Sequence, residues 1–570
     1  MTSPDAVRVS PPGRHDPLVP AIAGVCGAVM MTAALGPALV YPLNVEWLMR
    51  GDFSVHFFGW HLFRTGPWTL PLGATPHLMW PMGGSVGLTD SIPIASVFFK
   101  LLDPLLPAVF QFIGMWLVLS AALQGVFGAL LMQLATPRPV LQWLGALLFV
   151  LSPPLILRFG HPALTAHWLL LAGLWLALKA DAHQVSLRRA IAWAGLAAVT
   201  AAVQPYLLPM VLTMRGAISL RQVLAAPRQV LTIALHGSLA LAAVWVALWQ
   251  SGSLMVPGDG LTIGGFGAYS ANLLTFIMPA ESRSLLAPGL IRYASPLQYE
   301  GYSYLGAGTL LLGAIVVGSG LASPRPAAWW IAIRPHLPLV AGLLFMAAMA
   351  VGPVVTAGPY TLATYDSRWW GPLVAFRSNG RMIWALHYAI VAAIAFAATR
   401  FTPRTALALL GLAVAVQAAD VAGMSRDVHS AGDYGLRNPL ASRFWSVVPP
   451  HYERIVLVPS NLCDRDGAID YRAFALVAGR YGLAVNAGGA SRHDARRAAA
   501  YCAELQQEIR DGLATPGTLY VVRPDLLPTL VPPGAPHVPS CTVVDGFGVC
   551  FSAESHRQWQ YDFEVPAGHD

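Results

Sequence analysis

An aspartate near the start of the chain is placed where a side chain could do acid-base chemistry. Asp52 follows Arg50 and Gly51 and precedes an aromatic, apolar run that is typical of a helix. A carboxylate held beside aromatic groups at the edge of an apolar layer can accept a proton from a hydroxyl. The same position, directly before a helical run, also fits a helix N-cap. Asp52 is therefore a candidate general base, with a structural cap as the alternative.

Two arginines farther along the chain could bind phosphate. Arg377 and Arg381 are four positions apart and so share a helix face, with Asn379 between them. A guanidinium group binds phosphate through two parallel hydrogen bonds. The alternative is that both arginines end an apolar helix at a membrane surface.

Further polar residues lie near the ends of apolar segments and are candidates for substrate binding: Asp90, His161, Asn272, Glu300 and Tyr302. Asp90 could bind an acceptor or a metal, or cap a helix. Glu300 could orient a sugar hydroxyl or pair with an arginine, and His161 could be a ligand or a hydrogen-bonded structural residue. Neither Asp52 nor Asp90 belongs to an Asp-x-Asp pair, and no zinc spacing is present, so a metal site cannot be assigned from the sequence.

The composition shows which kind of protein must position these residues. Of the 570 residues, 55% are apolar and only 11% are charged, against about 25% charged in soluble domains. The chain is therefore expected to cross a membrane many times. Its net charge of +7 comes with only two lysines and no basic cluster interleaved with aromatics, so we expect no nucleic-acid partner. The positive charge instead reflects membrane topology.

Apolar runs long enough to span a bilayer predict about eleven transmembrane helices. Nine are clear, and a less certain pair is joined at Gln204 and Pro205: 19–41, 106–134, 140–157, 163–180, the pair within 190–220, 230–250, 303–322, 337–356, 382–399 and 405–422. Arginine and lysine are expected in cytoplasmic loops. This rule places residues 1–18 in the cytoplasm as an N-terminal tail and makes 19–422 the transmembrane domain.

The segment 42–105, called the first loop below, is predicted to lie on the opposite, outer face. Connections of about 4 to 6 residues are usual, and much longer ones tend to be functional or disordered. Its many tryptophans and phenylalanines make it too apolar for a disordered linker. We therefore expect an ordered, functional loop.

Residues 423–570 form a predicted extracytoplasmic α/β domain. They hold 29 of the 63 charged side chains. Short β-like runs at 454–458, 518–522 and 541–551 alternate with helical stretches at 471–481 and 494–511. Four of the five cysteines lie here, and disulfides persist in oxidising compartments. Cys541 and Cys550 flank an Asp-Gly turn and could pair across a hairpin, which leaves Cys463 and Cys502 as the second pair.

The order of these parts resembles the GT-C superfamily of membrane glycosyltransferases. The shared features are a first span, a long outer loop that opens with an acidic residue, many further spans and an outer C-terminal domain. More closely, short motifs resemble the bacterial domain-of-unknown-function 6311 family: 51–52, 90–93, 160–161, 300–306 and 377–381. In GT-C enzymes an Asp or Glu of the first outer loop is the general base, and some bind a divalent metal. The resemblance therefore implies that Asp52 is the base.

Together, these observations predict an inverting glycosyltransferase of a bacterial inner membrane. The resemblance implies a polyprenyl-phosphate sugar as donor and a glycan, lipid or protein of the cell envelope as acceptor, whether or not a divalent metal takes part. Arg377 and Arg381 would stabilise the departing phosphate. The alternatives are a lipid or glycan transporter, or flippase, and a non-enzymatic envelope assembly protein. A transporter usually carries ionisable residues near the midplane and often shows internal repeats. The predicted spans of this sequence are almost free of acidic residues, with Asp420 as an exception, and show no repeat.

Overall fold

The computed structural model is mainly helical, with a small sheet towards the C-terminus. It describes residues 16–256, 265–279, 283–286, 292–321, 333–366, 370, 376–430, 438–513, 515–530 and 540–551. The prediction of a mainly α membrane bundle followed by a small region with a sheet is confirmed at this level of detail.

The helices of the bundle and its loops are numbered in chain order. They are α1 (Leu18–Leu35), α2 (Pro37–Val40), α3 (Gly51–Thr65), α4 (Pro93–Leu101), α5 (Ile113–Met132), α6 (Pro139–Val150), α7 (Pro153–Leu157), α8 (Trp168–Leu178), α9 (Leu187–Val203), α10 (Leu208–Ala225), α11 (Val230–Gln250), α12 (Ala307–Leu321), α13 (Leu337–Val351), α14 (Trp384–Ala398) and α15 (Pro403–Ser430). A helix lies within each of the eleven segments predicted to span.

Six helices in the described part of the chain are long and apolar enough to cross a membrane: Leu18–Leu35, Ile113–Met132, Pro227–Gln250, Arg334–Val351, Asn379–Ala398 and Pro403–Arg426. The pair Pro139–Val150 and Pro153–Gly160, bent by 40°, adds a seventh if it forms one span. Pro162–Leu178 and Ala307–Gly320 are apolar but shorter. The structure thus supports a multi-span protein, and the number eleven stays a prediction.

Small residues allow α1 and α5 to pack closely. A Cβ atom on Gly27 would lie 2.2 Å from the carbonyl oxygen of Ala121, and one on Gly125 would lie 2.2 Å from that of Ala23. Only glycine fits at these two positions without moving a backbone. Close contact through small residues is a common way in which helices associate in membranes, where burial from lipid supplies little driving force.

The break between α9 and α10 has a local cause. Pro205 restricts the residue before it to extended conformations, and Gln204 has φ −156° and ψ 109°. The helix therefore ends at Val203, and α10 begins after one 3₁₀ turn (Pro205–Leu207). The break leaves the polar residues Gln204 and Tyr206 outside the two α-helices. Both belong to the site described below.

The first loop is ordered around α3. The large side chains of this helix and its flank are almost fully buried, among them Trp47, Phe57, Trp60 and Phe63. Two short strands, β1 (Ala74–Thr75) and β2 (Gly84–Ser85), pair antiparallel before α4 begins. A second small hairpin joins β3 (Val354–Ala357) to β4 (Tyr360–Thr364).

The C-terminal region contains a five-stranded sheet. Its elements are α16 (Phe444–Val447), β5 (Arg454–Val458), α17 (Arg472–Tyr481), β6 (Ala484–Val485), α18 (Ala495–Asp511), β7 (Thr518–Val522), α19 (Leu527–Leu530), β8 (Ser540–Val544) and β9 (Phe547–Phe551). The strand order is β6-β5-β7-β9-β8, with β5 parallel to β6 and β7 and the other neighbours antiparallel. The predicted strands and helices agree with these elements.

Two disulfides reinforce this region. Cys463 is bonded to Cys502 and Cys541 to Cys550, and Cys26 of α1 carries a free thiol. Cys541 and Cys550 are directly opposite each other in the β8–β9 hairpin. The prediction of two disulfides in the C-terminal region is confirmed.

The C-terminal region docks on the first loop through backbone hydrogen bonds. Trp80 donates its N–H to the carbonyl of Val485 at 2.9 Å, and Val485 donates to that of His77 at 2.8 Å. Nearby, Nε2 of the buried His61 side chain lies 3.1 Å from the carbonyl oxygen of Leu476. These bonds extend the edge of the sheet onto the loop, so the two parts position each other.

Candidate functional site

Asp52 lies in the first turn of α3, one residue after the left-handed Gly51. Gly51 has φ +46°, a conformation that glycine adopts without strain. The N-cap is Arg50, and no side chain caps this helix end by a hydrogen bond. The Asp52 side chain is 64% exposed, and its Oδ2 lies 3.3 Å from Nε2 of His161. Asp52 is thus accessible and held by a histidine, and it does not occupy the cap position.

His161 is a neutral partner for that carboxylate. It lies between two 3₁₀ turns, Arg158–Gly160 and Pro162–Thr165. Burial lowers the pKa of His161 to about 3, and the nearby charges of Arg381 and His56 act in the same direction. At neutral pH the imidazole therefore carries no charge. It orients the Asp52 carboxylate without neutralising it.

One turn farther along α3, His56 adds a second imidazole. Its Nδ1 lies 3.0 Å from the carbonyl oxygens of both Thr89 and Asp90. Carbonyl oxygens only accept hydrogen bonds, so Nδ1 carries the proton, and in the neutral ring Nε2 is an acceptor. This Nε2 is buried, and no residue in the described ranges forms a hydrogen bond with it. The rings of His56 and His161 are 6.1 Å apart.

Asp90 faces the same cluster from the loop before α4. Its backbone is left-handed, with φ +52°. Burial raises the pKa of Asp90, and the nearby Asp52 charge adds to this, while His56, Arg381 and a hydrogen bond with Gln204 oppose it. The structure therefore brings the two predicted aspartates, 52 and 90, into one electrostatic neighbourhood.

A buried ion-pair network lies behind these residues. Arg381 donates from Nε and Nη2 to the two carboxylate oxygens of Glu300, at 2.9 and 2.7 Å. Arg158 donates from Nη1 to Oε2 of Glu300 at 2.7 Å. Burial alone would raise the pKa of Glu300, but the two guanidinium groups outweigh it and hold the pKa well below its ordinary value. Two cations face one anion, so the network has an excess of one positive charge.

Residues at the break between α9 and α10 complete the surroundings of Arg381 and Asp90. The guanidinium of Arg381 lies 4.6 Å from the ring centroid of Tyr206. The Tyr206 hydroxyl accepts a hydrogen bond from the Ser378 N–H at 3.4 Å. Gln204, two residues earlier, lies near enough to Asp90 to lower the pKa of that carboxyl. The polar residues around Pro205 thus join the arginine side of the site to the aspartate side.

Arg377 lies next to this group and has a different partner. Its Nη2 donates to the hydroxyl of Tyr269 at 2.6 Å, and its guanidinium lies 4.7 Å from the centre of that ring. Among the residues that the structure describes, the buried Nε of Arg377 has no hydrogen-bond partner. Arg377 thus forms no carboxylate pair there, whereas Nε and Nη2 of Arg381 both donate to Glu300.

Three other predicted residues lie in the surrounding framework. The Asn379 amide bonds to the backbone of Met349, Ala350 and Gly267. The Asn272 amide donates to Gln298, Thr356 and Gly358. Tyr302 is buried, and its carbonyl accepts a hydrogen bond from the Trp384 indole. The structure gives these three residues contacts with neighbouring loops and does not bring them to Asp52.

Sequence reasoning did not single out His56, Arg158, Gln204 or Tyr206 as site residues. For His56 there was a signal, because it lies four residues after Asp52 and so shares its helix face. Arg158 was a charge inside an apolar run. Gln204 and Tyr206 flank the proline that breaks a helix pair. Their convergence, however, depends on contacts between distant segments.

Among the residues that the structure describes, no group of three or more His, Cys, Asp or Glu side chains could hold a metal ion. The chemistry available from the described side chains is therefore that of an accessible carboxylate, two imidazoles and a cationic network.

Two protein-family models match the chain. Residues 24–422 match "Domain of unknown function (DUF6311)", and residues 444–552 match "DUF6311 C-terminal domain". No curated protein matches the chain. Among solved structures the chain is similar to the archaeal oligosaccharyltransferase AglB from Archaeoglobus fulgidus in complex with an inhibitory peptide and a dolichol-phosphate. That likeness has 10% sequence identity and a TM-score of 0.40, and it covers 89% of this chain and 69% of the other. A likeness at this level carries no argument about activity.

Proposed function

The chain belongs to the DUF6311 family, and we propose that it is a membrane-embedded inverting glycosyltransferase. The donor is a sugar on a polyprenyl phosphate, and the acceptor is a hydroxyl of the cell envelope. The observation that carries the proposal is the accessible Asp52 carboxylate, which lies 3.3 Å from a neutral histidine and beside a cationic network.

In this proposal Asp52 is the general base. The acceptor oxygen forms a bond to the anomeric carbon as its proton passes to the Asp52 carboxylate. The bond from that carbon to the phosphate oxygen breaks, and its electron pair leaves with the phosphate. His161 fixes the orientation of the carboxylate, and because it is uncharged it leaves Asp52 basic. Base catalysis of this kind contributes about 10²- to 10⁴-fold to the rate.

The arginines stabilise the charge on the leaving phosphate. The network of Arg158, Glu300 and Arg381 has an excess positive charge inside the protein, where electrostatic interactions are stronger than in water. Arg377 adds a guanidinium that, within the described part of the chain, pairs with no carboxylate and donates to the Tyr269 hydroxyl. Arg377 is thus the direct phosphate ligand, and Arg381 acts through the field of the network that it forms with Glu300.

A small apolar cavity lies beside the site and suits a short stretch of the donor lipid. It lies between α1, α5, α7 and α15, and its lining includes Met30, Met31, Ile156 and Phe159. Phe159 packs against Phe53 with ring centroids 5.0 Å apart. Because Phe53 directly follows Asp52, hydrocarbon bound at this cavity lies close to the proposed base.

We assign the site and the C-terminal region to the outer face of a bacterial inner membrane. The support is the pair of disulfides, which persist in oxidising compartments, together with arginine-rich loops on the opposite side. In this arrangement 1–18 is a cytoplasmic tail, 19–422 is the membrane domain, and 423–570 is the outer domain that covers the first loop.

A transporter of a lipid or glycan is the second candidate, since buried polar pairs lie inside the bundle. Nδ1 of His167 is 2.6 Å from the Tyr388 hydroxyl, and Nε2 of His387 is 2.9 Å from that of Ser152. Ionisable residues within membrane helices often mark transport pathways. The accessible Asp52 gives a transferase a base at the surface, which a transporter does not need.

Mass spectrometry of envelope glycans tests the proposal. Cells with the wild-type chain, with no chain and with Asp52→Asn at matched membrane levels would be compared. We expect one glycan to lose a sugar both without the chain and with Asp52→Asn. A glycan that is complete with Asp52→Asn but absent without the chain would favour transport, and unchanged glycans in all three strains would contradict both functions.

A further inference from the structure

A second cavity, which is polar, lies away from the Asp52 site, between α9, α10, α11 and the segment before α9. Its lining includes Ser186, Arg189, Trp193, Arg215, Gln222 and His236. Arg189 belongs to the first turn of α9, whereas Gln204 and Tyr206 of the Asp52 site follow the last turn. At 1.5 Å per residue, Arg189 lies roughly 20 Å along the helix from Val203. The cavity is therefore separate from the candidate site.

Arg215 is the unusual residue of this cavity. Its side chain lines the cavity, and the residue is only 7% exposed. Its Nη1 donates to the hydroxyl of Ser219 in the same helix, and its Nε has no hydrogen-bond partner among the described residues. In the described part of the chain, no carboxylate forms an ion pair with Arg215. A buried guanidinium without a counter-charge is costly, so an anionic ligand would stabilise it.

The other groups around the cavity also favour an anion. Arg189 is half-buried, and its hydrogen bonds within the described residues go to two oxygens of Gln184, both at 3.3 Å. The N-terminus of α9, where the Ser186 hydroxyl accepts a hydrogen bond from the N–H of Arg189, turns its positive dipole end towards the same region. The nearest acidic residue along the chain, Asp181, already accepts a hydrogen bond from the N–H of His183. Cationic and donor groups thus exceed acceptors here.

Apolar side chains on the same three helices indicate which anion is at hand. Each helix carries a pair of exposed leucine or isoleucine residues four positions apart: Leu187 and Ile191, Leu220 and Leu224, Leu231 and Leu235. At 3.6 residues per turn these pairs lie on other faces of their helices than the residues that line the cavity, so they contact the hydrocarbon of the bilayer. A cationic cavity among helices that contact lipid suits the phosphate of a lipid headgroup.

We propose that this cavity binds the phosphate of an anionic phospholipid headgroup. Arg215 takes the phosphate oxygens through its planar fork, and Arg189 and the α9 N-terminus supply further positive charge. The acyl chains extend into the bilayer that surrounds α9, α10 and α11. This site is independent of the proposed transfer reaction and uses none of its residues.

Purified full-length protein in lipid nanodiscs tests the proposal. The discs would contain phosphatidylcholine alone, or an equal mixture of phosphatidylcholine and phosphatidylglycerol. Two readouts are the thermal midpoint of unfolding and the number of phosphatidylglycerol molecules retained in native mass spectrometry. We expect phosphatidylglycerol to raise the midpoint of the wild type and one molecule to be retained. Arg215→Gln should lose both effects.

Arg228→Gln is the matched control, because Arg228 is an exposed arginine close to the end of α10. Arg228→Gln should keep both the rise of the thermal midpoint and the retained phosphatidylglycerol molecule. If phosphatidylglycerol were held only by a general attraction to positive charge, the two substitutions would weaken its binding equally. Arg215→Lys, which keeps the charge but loses the fork, should bind phosphatidylglycerol about tenfold more weakly. This variant decides the question if Arg215→Gln does not fold.

Inorganic phosphate added to the phosphatidylcholine discs separates the two sources of phosphate. It should leave the midpoint unchanged. A rise as large as that given by phosphatidylglycerol would overturn the lipid assignment in favour of a soluble phosphate ligand. Equal retention of phosphatidylglycerol by wild type and both Arg215 variants would overturn the site itself.

Discussion

The Oδ2 atom of Asp52 lies 3.3 Å from Nε2 of His161, although the two residues belong to different segments of the bundle. Asp52 is largely exposed, whereas His161 is mostly buried. One partner therefore faces the space where a substrate could approach, and the other anchors it to the protein. A general base needs access to the substrate and a fixed orientation, and this pair of residues supplies both. Substitutions of Asp52 and of His161 should therefore affect catalysis and stability differently.

Asp52→Asn should abolish transfer with little effect on folding. Asparagine keeps the shape of the side chain but cannot take a proton, so we expect a loss of about 10²- to 10⁴-fold. Because the structure shows no side-chain cap at this helix end, the loss of stability should be within a few tenths of a kcal/mol. Transfer from lipid-linked sugars in proteoliposomes and the thermal midpoint measure the two quantities. Full transfer by a correctly inserted variant would exclude Asp52 as base.

His161→Asn should make stability less sensitive to acid. The unfolded chain protonates this histidine near pH 6.5, but folded His161 does so only near pH 3. The folded state therefore loses stability as pH falls through this window, by at most about 1.4 kcal/mol per unit. Thermal midpoints of both proteins at pH 7 and pH 5 would show the difference. Parallel pH profiles would mean that folding does not lower the pKa of His161.

Glu300→Gln should destabilise the fold by about 3–5 kcal/mol, because it leaves two buried guanidinium groups without their carboxylate. The pKa of Glu300 is lowered on folding, so its contribution is present above its ordinary pKa of 4.5 and is lost as pH falls below it. Denaturation of the purified protein at pH 7 would measure the change.

Glu453→Gln is the control for this variant. Glu453 pairs with Arg454 at 2.6 Å, but its side chain is 74% exposed. Exposed ion pairs contribute about 0–1 kcal/mol, so this control should be almost neutral. If the two variants lost stability equally, the Glu300 network would not be the strong buried interaction that its geometry indicates.

Arg377→Lys and Arg381→Lys should differ from each other. Lysine cannot reproduce the two hydrogen bonds from Arg381 to Glu300, so Arg381→Lys should lower the free energy of unfolding by about 1–3 kcal/mol. Arg377→Lys should instead weaken donor binding and leave the thermal midpoint nearly unchanged. The readouts are the apparent KM for the lipid-linked donor and the thermal midpoint. A common loss of stability in both would make Arg377 a structural residue as well.

Thiol labelling should find one reactive cysteine, Cys26, in protein that is denatured without reductant. The four cysteines of the C-terminal region are paired in the structure. Labelling after reduction should find all five, which serves as the internal control. Five labelled thiols before reduction would contradict both the disulfides and the outer location assigned to this region.

The sequence by itself determined the class of the protein and the place of its helices and strands. High apolar content and long apolar runs predict membrane helices, because each run depends only on residues close together in the chain. The same holds for the break at Pro205, for the strand runs 454–458 and 518–522, and for a hairpin cysteine pair on either side of an Asp-Gly turn. The number of full spans was less certain, because several helices are shorter than a bilayer requires.

Only the tertiary structure decided which polar residues form the site. Arg377 and Arg381 look equivalent in sequence, yet one is held by Glu300 from a distant loop and the other lies on Tyr269. Likewise, Asp52 contacts His161, while Asn272 and Asn379 hold loops elsewhere. These choices arise from the packing of helices and from the C-terminal region docking on the first loop. Such contacts join residues that are far apart in the chain, and no local pattern records them.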